Sequence, residues 1–95
     1  MTVVVTDQPS EGRFEASVDG TYAGAAWYEI KGDVITFTHT VVEPAFEGKG
    51  VGGSLARHAL DDVRDAGLRV IPRCPFIRRW IERHPDYQDL LFRVD

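Results

Sequence analysis

The sequence holds a single cysteine, Cys74, so it can build neither an internal disulfide framework nor a cysteine-rich zinc site. No apolar run approaches the roughly 20 residues needed to span a bilayer. The start, Met1 to Asp7, lacks the basic flank of a secretory signal. Low-complexity tracts and internal repeats are missing as well. An excess of positive charge is also lacking: the net charge of −4 argues against a nucleic-acid partner. These absences lead to the expectation of a cytoplasmic protein, monomeric or weakly dimeric, that is stabilised by packing alone. Its 95 residues suit one domain spanning 1–95, with one core that every activity must share.

The charge that is present is divided unevenly. Residues 1–45 carry two basic and seven acidic side chains, whereas residues 46–95 carry nine basic and eight acidic ones. An anion site is therefore expected in the second half, and attraction for a cationic substrate in the first.

The first 42 residues read as antiparallel strands over Val3–Thr6, Arg13–Val18, Tyr22–Ile30 and Val34–Val42. Asp19-Gly20 supplies the positive φ angles of a tight hairpin turn, and Lys31-Gly32-Asp33 makes the next. Strict alternation in the fourth strand puts Ile35, Phe37, His39 and Val41 on one face, with Val34, Thr36, Thr38 and Thr40 on the other. Glu43-Pro44 ends that strand, because proline cannot donate to the ladder. Leu55, Ala56, Ala59, Leu60 and Val63 then recur at helical spacing, predicting a helix from Gly52 to Ala66 stopped by Gly67. Leu68–Ile71 is a short strand. Pro75 opens a second helix with Cys74 at its N-cap, and His84-Pro85 closes it. The tail from Tyr87 to Val94 is read as a final edge strand, which with the other sheet edge could support a dimer. The fold class is α+β: antiparallel N-terminal hairpins joined to a β-α-β-α unit whose parallel strands splay apart at Pro44 and Pro72.

Four glycines lie within Gly48-Lys49-Gly50-Val51-Gly52-Gly53, a strand-to-helix turn that offers unpaired N–H groups to an anion. Their clustering suggests close backbone approach to a ligand. The spacing meets G-x-G-x-x-G, yet the surrounding hairpins and the strand end Ile71-Pro72-Arg73 do not fit a dinucleotide fold. The phosphate loop of nucleotide triphosphatases fails on spacing.

Val41-Val42-Glu43-Pro44 leading into Gly48-Lys49-Gly50-Val51-Gly52 and a helix resembles the acetyl-coenzyme A segment of the GNAT N-acetyltransferase superfamily. Its pattern is Gln/Arg-x-x-Gly-x-Gly/Ala; Gly50 and Gly52 fill the glycine positions and Glu47 stands where Gln or Arg is usual. Together with Cys74-Pro75-Phe76 and Arg83-His84-Pro85-Asp86-Tyr87, the chain is similar to a minimal single-domain subgroup, from about Tyr22 to Leu90. The resemblance implies a GNAT-like fold and acetyl-CoA as the cofactor. It implies coenzyme contacts from Val41, Val42, Glu47, Gly48, Lys49, Gly50, Val51, Gly52, Gly53 and Ser54. Lys49, Arg57, Arg78 and Arg79 are candidates for its phosphates, and Arg73 is expected among the coenzyme contacts.

Amide formation from a thioester needs a neutral amine, a donor for the developing oxyanion and an acid for the leaving thiolate. Glu43, at the strand end, could accept the amine's proton. So could His39 if it reaches the cleft; otherwise it belongs to the core. Cys74 has two roles open, as nucleophile or proton relay favoured by the helix start and Arg73, or as a small apolar lining of the channel. Tyr87 could protonate the departing sulfur or cap the core. The expected function is acetyl transfer to an unidentified amine or protein acceptor. The alternative is a coenzyme A binding or sensing module without turnover. A third class, a protein-interaction module built on Trp27 and Tyr28, rests on aromatic content alone.

Overall fold

A computed structural model describes residues 1–93. Five strands form one sheet in sequence order: β1 (Val3–Gln8), β2 (Arg13–Val18), β3 (Thr21–Lys31), β4 (Val34–Val42) and β5 (Arg69–Pro72). The first four are antiparallel neighbours, and β5 lies parallel to β4. Two helices, α1 (Val51–Asp65) and α2 (Pro75–Arg83), pack on one side of the sheet.

The hairpin between β2 and β3 forms where Asp19 and Gly20 both take positive φ, 48° and 86°. α1 closes as Gly67 was expected to close it: in the left-handed region at φ 72°, Gly67 donates to Arg64 C=O while Leu68 N–H reaches back to Val63 C=O. The apolar stripe of α1, from Val51 through Leu55, Ala56, Ala59 and Leu60 to Val63, is buried against Phe14, Ile35, Phe37 and Val70 of the sheet. Burying each large apolar side chain contributes about 1.5–3 kcal/mol, so this face holds the fold together.

Two bulges change the expected facing of side chains. Ala16 pairs with Gly24 and Ser17 with Tyr22, which leaves Ala23 as an extra residue in β3. Trp27 pairs with His39 and Tyr28 with Phe37, which makes Thr38 the extra residue in β4. The alternation of β4 therefore inverts at Thr38. Ile35 and Phe37 enter the core, but His39 and Val41 are exposed on the helix-free face, and Thr40 and Val42 turn toward the helices. A two-residue period cannot announce a bulge, so the shared face read for Ile35, Phe37, His39 and Val41 is corrected here.

The tail also departs from expectation. Pro85–Leu90 is a 3-10 helix, followed by a single bridge from Leu91 to Val70. Leu90 and Tyr87 are buried under this turn, so its apolar residues serve packing rather than strand pairing. Val94, in the expected final strand, lies outside the described residues.

Candidate functional site

β4 and β5 remain paired from Val34↔Arg69 to Phe37↔Pro72 and then part. Beyond that point Cys74 N–H bonds Phe37 C=O at 2.9 Å and the chain turns into α2, while β4 runs on to Val42. Glu43 N–H donates to Ala23 C=O at 2.8 Å. Because backbone groups alternate along a strand, Val41 also faces β3, and Thr40 and Val42 direct their N–H and C=O groups into the gap left by β5. Val42 lines a cavity of about 280 Å³ with Phe46, Gly48, Gly50, Gly52 and Phe76.

The glycine turn borders this cavity, and its glycines have different reasons. Gly48 and Gly50 adopt φ of 77° and 81°, which side chains resist. Gly52 lies against Phe76: a Cβ there would sit 2.7 Å from Phe76 Cζ, so the exposed ring would have to shift. The first bond of the α1 ladder runs from Ser54 N–H to Gly50 C=O at 3.0 Å, so the N–H groups of Val51, Gly52 and Gly53 precede the ladder and have no acceptor within the helix. With the dipole of a 15-residue helix behind them, these amides suit a phosphate. Lys49 is exposed beside them, and Arg79 shares a helix face with Phe76 three residues earlier.

The other cations sit elsewhere. Arg57 donates to Tyr87 Oη at 3.2 Å and lies over the Trp80 ring at 5.2 Å. Arg78 donates from Nε to Pro72 C=O and from its terminal nitrogen to Arg73 C=O, both at 3.3 Å, tying α2 to the end of β5. Arg73 lines a different cavity, on the helix-free face of the sheet. Arg57, Arg73 and Arg78 are thus not brought to the glycine turn.

The four residues expected to carry chemistry separate into three places. Cys74 is buried, with Sγ 3.3 Å from Thr40 Oγ1, at the point where the strands part. His39 and Glu43 lie on the helix-free face, two alternations apart on the same strand edge. The His39 ring stacks on Trp27 with centroids 4.4 Å apart and planes 7° from parallel, and Nδ1 is 3.1 Å from Thr38 Oγ1. Tyr22, on this same face, is held above its ordinary pKa, first by partial burial and then by the Glu43, Glu15 and Glu11 carboxylates, with Arg13 opposing. Tyr87 is elsewhere: buried beneath α1, its hydroxyl donates to Asp61 Oδ1 at 2.6 Å. That bond, followed by burial, raises its pKa. Its proton is engaged by Asp61 and its ring is buried, which agrees with the second of the two roles read for it, capping the core, rather than protonation of the departing sulfur.

Sequence reasoning missed three contributors. Thr40 reaches Cys74 only because of the bulge at Thr38. Arg13, ion-paired with Glu15 and Glu11, lies 5.5 Å from the Trp27 ring and 5.8 Å from that of Tyr22. No short-range pattern in the sequence joins it to Trp27 and Tyr22, which come from the next strand. Phe76 walls the glycine turn. Tyr28, by contrast, is buried with its hydroxyl on Asp7 at 2.6 Å, which removes half the basis for an aromatic docking module.

A family model described as GCN5-related N-acetyl-transferase matches residues 13–90. Protein NATD1 of Bos taurus is 34% identical over 59 residues, covering 61% of this chain and 52% of that protein. Protein NATD1 of Mus musculus is 29% identical over 75 residues, covering 77% and 68% respectively. The chain thus spans about half the length of the cattle relative. Among solved structures, a GCN5-like protein of Staphylococcus aureus superposes with a TM-score of 0.73 at 22% identity, covering 97% of this chain and 90% of that one. The ribosomal-protein-S18-alanine N-acetyltransferase of Escherichia coli gives a TM-score of 0.60 at 23% identity, over 63% of this chain and 39% of the other. These likenesses concern the fold.

Proposed function

The chain belongs to the GCN5-related N-acetyltransferase family, and from that premise we propose that it binds acetyl-CoA where β4 and β5 part and transfers the acetyl group to an amine. The observation that carries the reading is the joint position of the free edge of β4 and the amide cradle at the start of α1. The residues present fit the cofactor: the left-handed Gly48 and Gly50 keep the turn open, and a Cβ at either would meet nothing within 4 Å. The amides from Gly48 to Gly53 would hold the pyrophosphate, with Lys49 and Arg79 adding charge. The backbone of Thr40 and Val42 would pair with the amides of the pantetheine arm.

Acetyl-CoA, when bound, supplies an acetyl group activated as a thioester. The protein's part is to place and deprotonate the acceptor. The helix side of the sheet is filled by the core, so the amine approaches from the face carrying His39 and Glu43. Either side chain can take the ammonium proton, directly or through water. Cys74 and Thr40 would line the channel beside the reacting sulfur; the neutral amine would attack the thioester carbon directly as the C–S bond breaks, and the coenzyme A thiolate would leave and take a proton from water, whereas an acetyl adduct on Cys74 in intact-mass spectra would make it a covalent carrier.

Acetyl-CoA should raise the melting temperature of the parent protein and fail to raise that of Gly50→Glu, with the far-UV spectrum showing that the variant folds. Equal responses from the two would sink the cradle. One observation favours a second reading, a coenzyme A binding or sensing module: Glu47 sets a carboxylate at the edge of an anion site. Release of free coenzyme A thiol on adding amines, above slow hydrolysis, separates the enzyme from the binder.

A further inference from the structure

The helix-free face of the sheet is electrically divided along β4. Toward the carboxyl end, Glu11 and Glu15 hold one cation, Arg13, in ion pairs, and Glu43 adds a third carboxylate beside Tyr22. At the other end lies a cavity of about 380 Å³, lined by Lys31, Val34, Thr36, Ile71 and Arg73, with Glu29 as the one carboxylate among its described residues. Pairing register fixes its position: Glu29 is opposite Thr36, Lys31 is opposite Val34, and Thr36 is opposite Ile71. Arg73 follows directly on the last paired residue, Pro72, so the cavity begins where the strands part and extends away from it.

We infer that this cavity holds an anionic group of the acceptor, so that the acceptor carries an amine and a carboxylate on one short chain. The inference rests on the acetyl-transfer reading above and names the substrate class of that site. Three features support it. Lys31 and Arg73 make no hydrogen bond or ion pair through their side chains among the described residues, unlike Arg13, Arg57, Arg64 and Arg78. Arg73 had been expected at the coenzyme, yet it faces the opposite cavity, adjacent to the parting point. The cavity floor of Val34 and Ile71 excludes water from one side of an incoming carboxylate, which strengthens its attraction to the two cations. Arg73 offers a planar fork to it and Lys31 a point charge.

The spacing follows from the strand. From Thr38 at the parting point to Thr36 and Val34 is two to four residues, or about 7–13 Å at ~3.3 Å per residue. An extended tripeptide with a free amine and a free carboxylate matches that span. The amine then lies near His39, with the acidic end beyond it, and the carboxylate lies at the basic end. Reversed binding would put each charge against its own sign.

Triglycine and triglycinamide serve as probes, because they share the amine and the length but only the first has the carboxylate. With acetyl-CoA saturating, triglycine should show a KM at least about tenfold lower, a preference worth about 1.4 kcal/mol. The double variant Lys31→Gln, Arg73→Gln should abolish the preference while the melting shift given by acetyl-CoA keeps its size. Charge reversal at both positions should turn the preference toward the amide. Equal use of the two peptides by the parent, use of neither while acetyl-CoA still raises the melting temperature, or a preference that survives the double variant would overturn the inference. A missing acetyl-CoA shift in the parent would instead overturn the acetyl-transfer reading itself.

Discussion

One sheet presents two unlike faces. The helix-covered face buries Phe14, Ala16, Val18, Ala26, Ile35, Phe37 and Val70 against α1 and α2. The uncovered face carries Arg13, Glu15, Tyr22, Trp27, His39 and Glu43, polar and aromatic groups that stack and pair with one another under no helix. Because alternate residues of the same strands supply both, stability and chemistry are separated by side-chain parity rather than by domain. The separation breaks down at the two bulges, Ala23 in β3 and Thr38 in β4, and the second exchanges the two sets and puts Thr40 beside Cys74. The reaction site is expected where the faces meet.

The strongest test of that division is truncation on the covered face. Phe37 is fully buried between Phe14 and Tyr28, and Phe37→Ala should cost about 3–5 kcal/mol in chemical denaturation. On the uncovered face, Glu43→Gln combined with His39→Gln should lower turnover by about a hundredfold or more, equal to about 2.7 kcal/mol of barrier. Its unfolding midpoint should stay within about 0.5 kcal/mol of the parent. If the double variant instead unfolds while retaining turnover, the assignment of roles to faces is wrong. Gly24 tests the junction: a Cβ there would stand 2.5 Å from Val41 C=O and 3.1 Å from Val42 Cα, both backbone. Gly24→Ala should therefore cost about 1–3 kcal/mol through a shift of β4, and that shift should weaken acetyl-CoA binding as well.

The covered face was legible in the sequence because its signals are periodic. The α1 stripe, the Asp19-Gly20 hairpin, the Cys74–Pro75 helix start and the Gly67 stop all sit where residue spacing put them. The glycine turn was legible as a strand-to-helix turn with amides ahead of the helix ladder, although the closeness of Gly52 to Phe76 was not. What failed to show were features set by single extra residues or by distant partners. Nothing in Thr36-Thr38-Thr40 marks which threonine is bulged. Tyr87 looked like an acid for the thiolate because its partner Asp61 is 26 positions away in sequence. Arg73 was expected at the coenzyme, whereas the end of β5 turns its side chain into the cavity on the helix-free face.

Tyr87→Phe sharpens that last distinction at smaller scale. Removing a buried hydroxyl that donates to Asp61 and accepts from Arg57 should cost about 1 kcal/mol of stability. Turnover should persist, because the phenol belongs to packing under α1; loss of turnover with unchanged stability would return Tyr87 to the chemistry.

The smallest effect concerns alkaline pH and draws on both faces. Tyr28 on the covered face is held well above its ordinary value, first by burial and then by its bond to Asp7. Tyr22 on the uncovered face and Tyr87 under α1 are raised too. A tyrosine whose folded pKa exceeds its unfolded value of about 10 binds a proton in the native state that the unfolded chain has released. Stability from these groups is therefore complete below about pH 10 and falls as pH rises from there through the folded values. Phenolate absorbance of the folded protein should lag that of the urea-unfolded chain above pH 10, and the melting temperature should decline over the same range. Tyr28→Phe should flatten that decline more than Tyr22→Phe, since Tyr28 is the more deeply buried of the two. An equal effect from both would mean that the two faces differ less in their hold on a proton than in their hold on apolar surface.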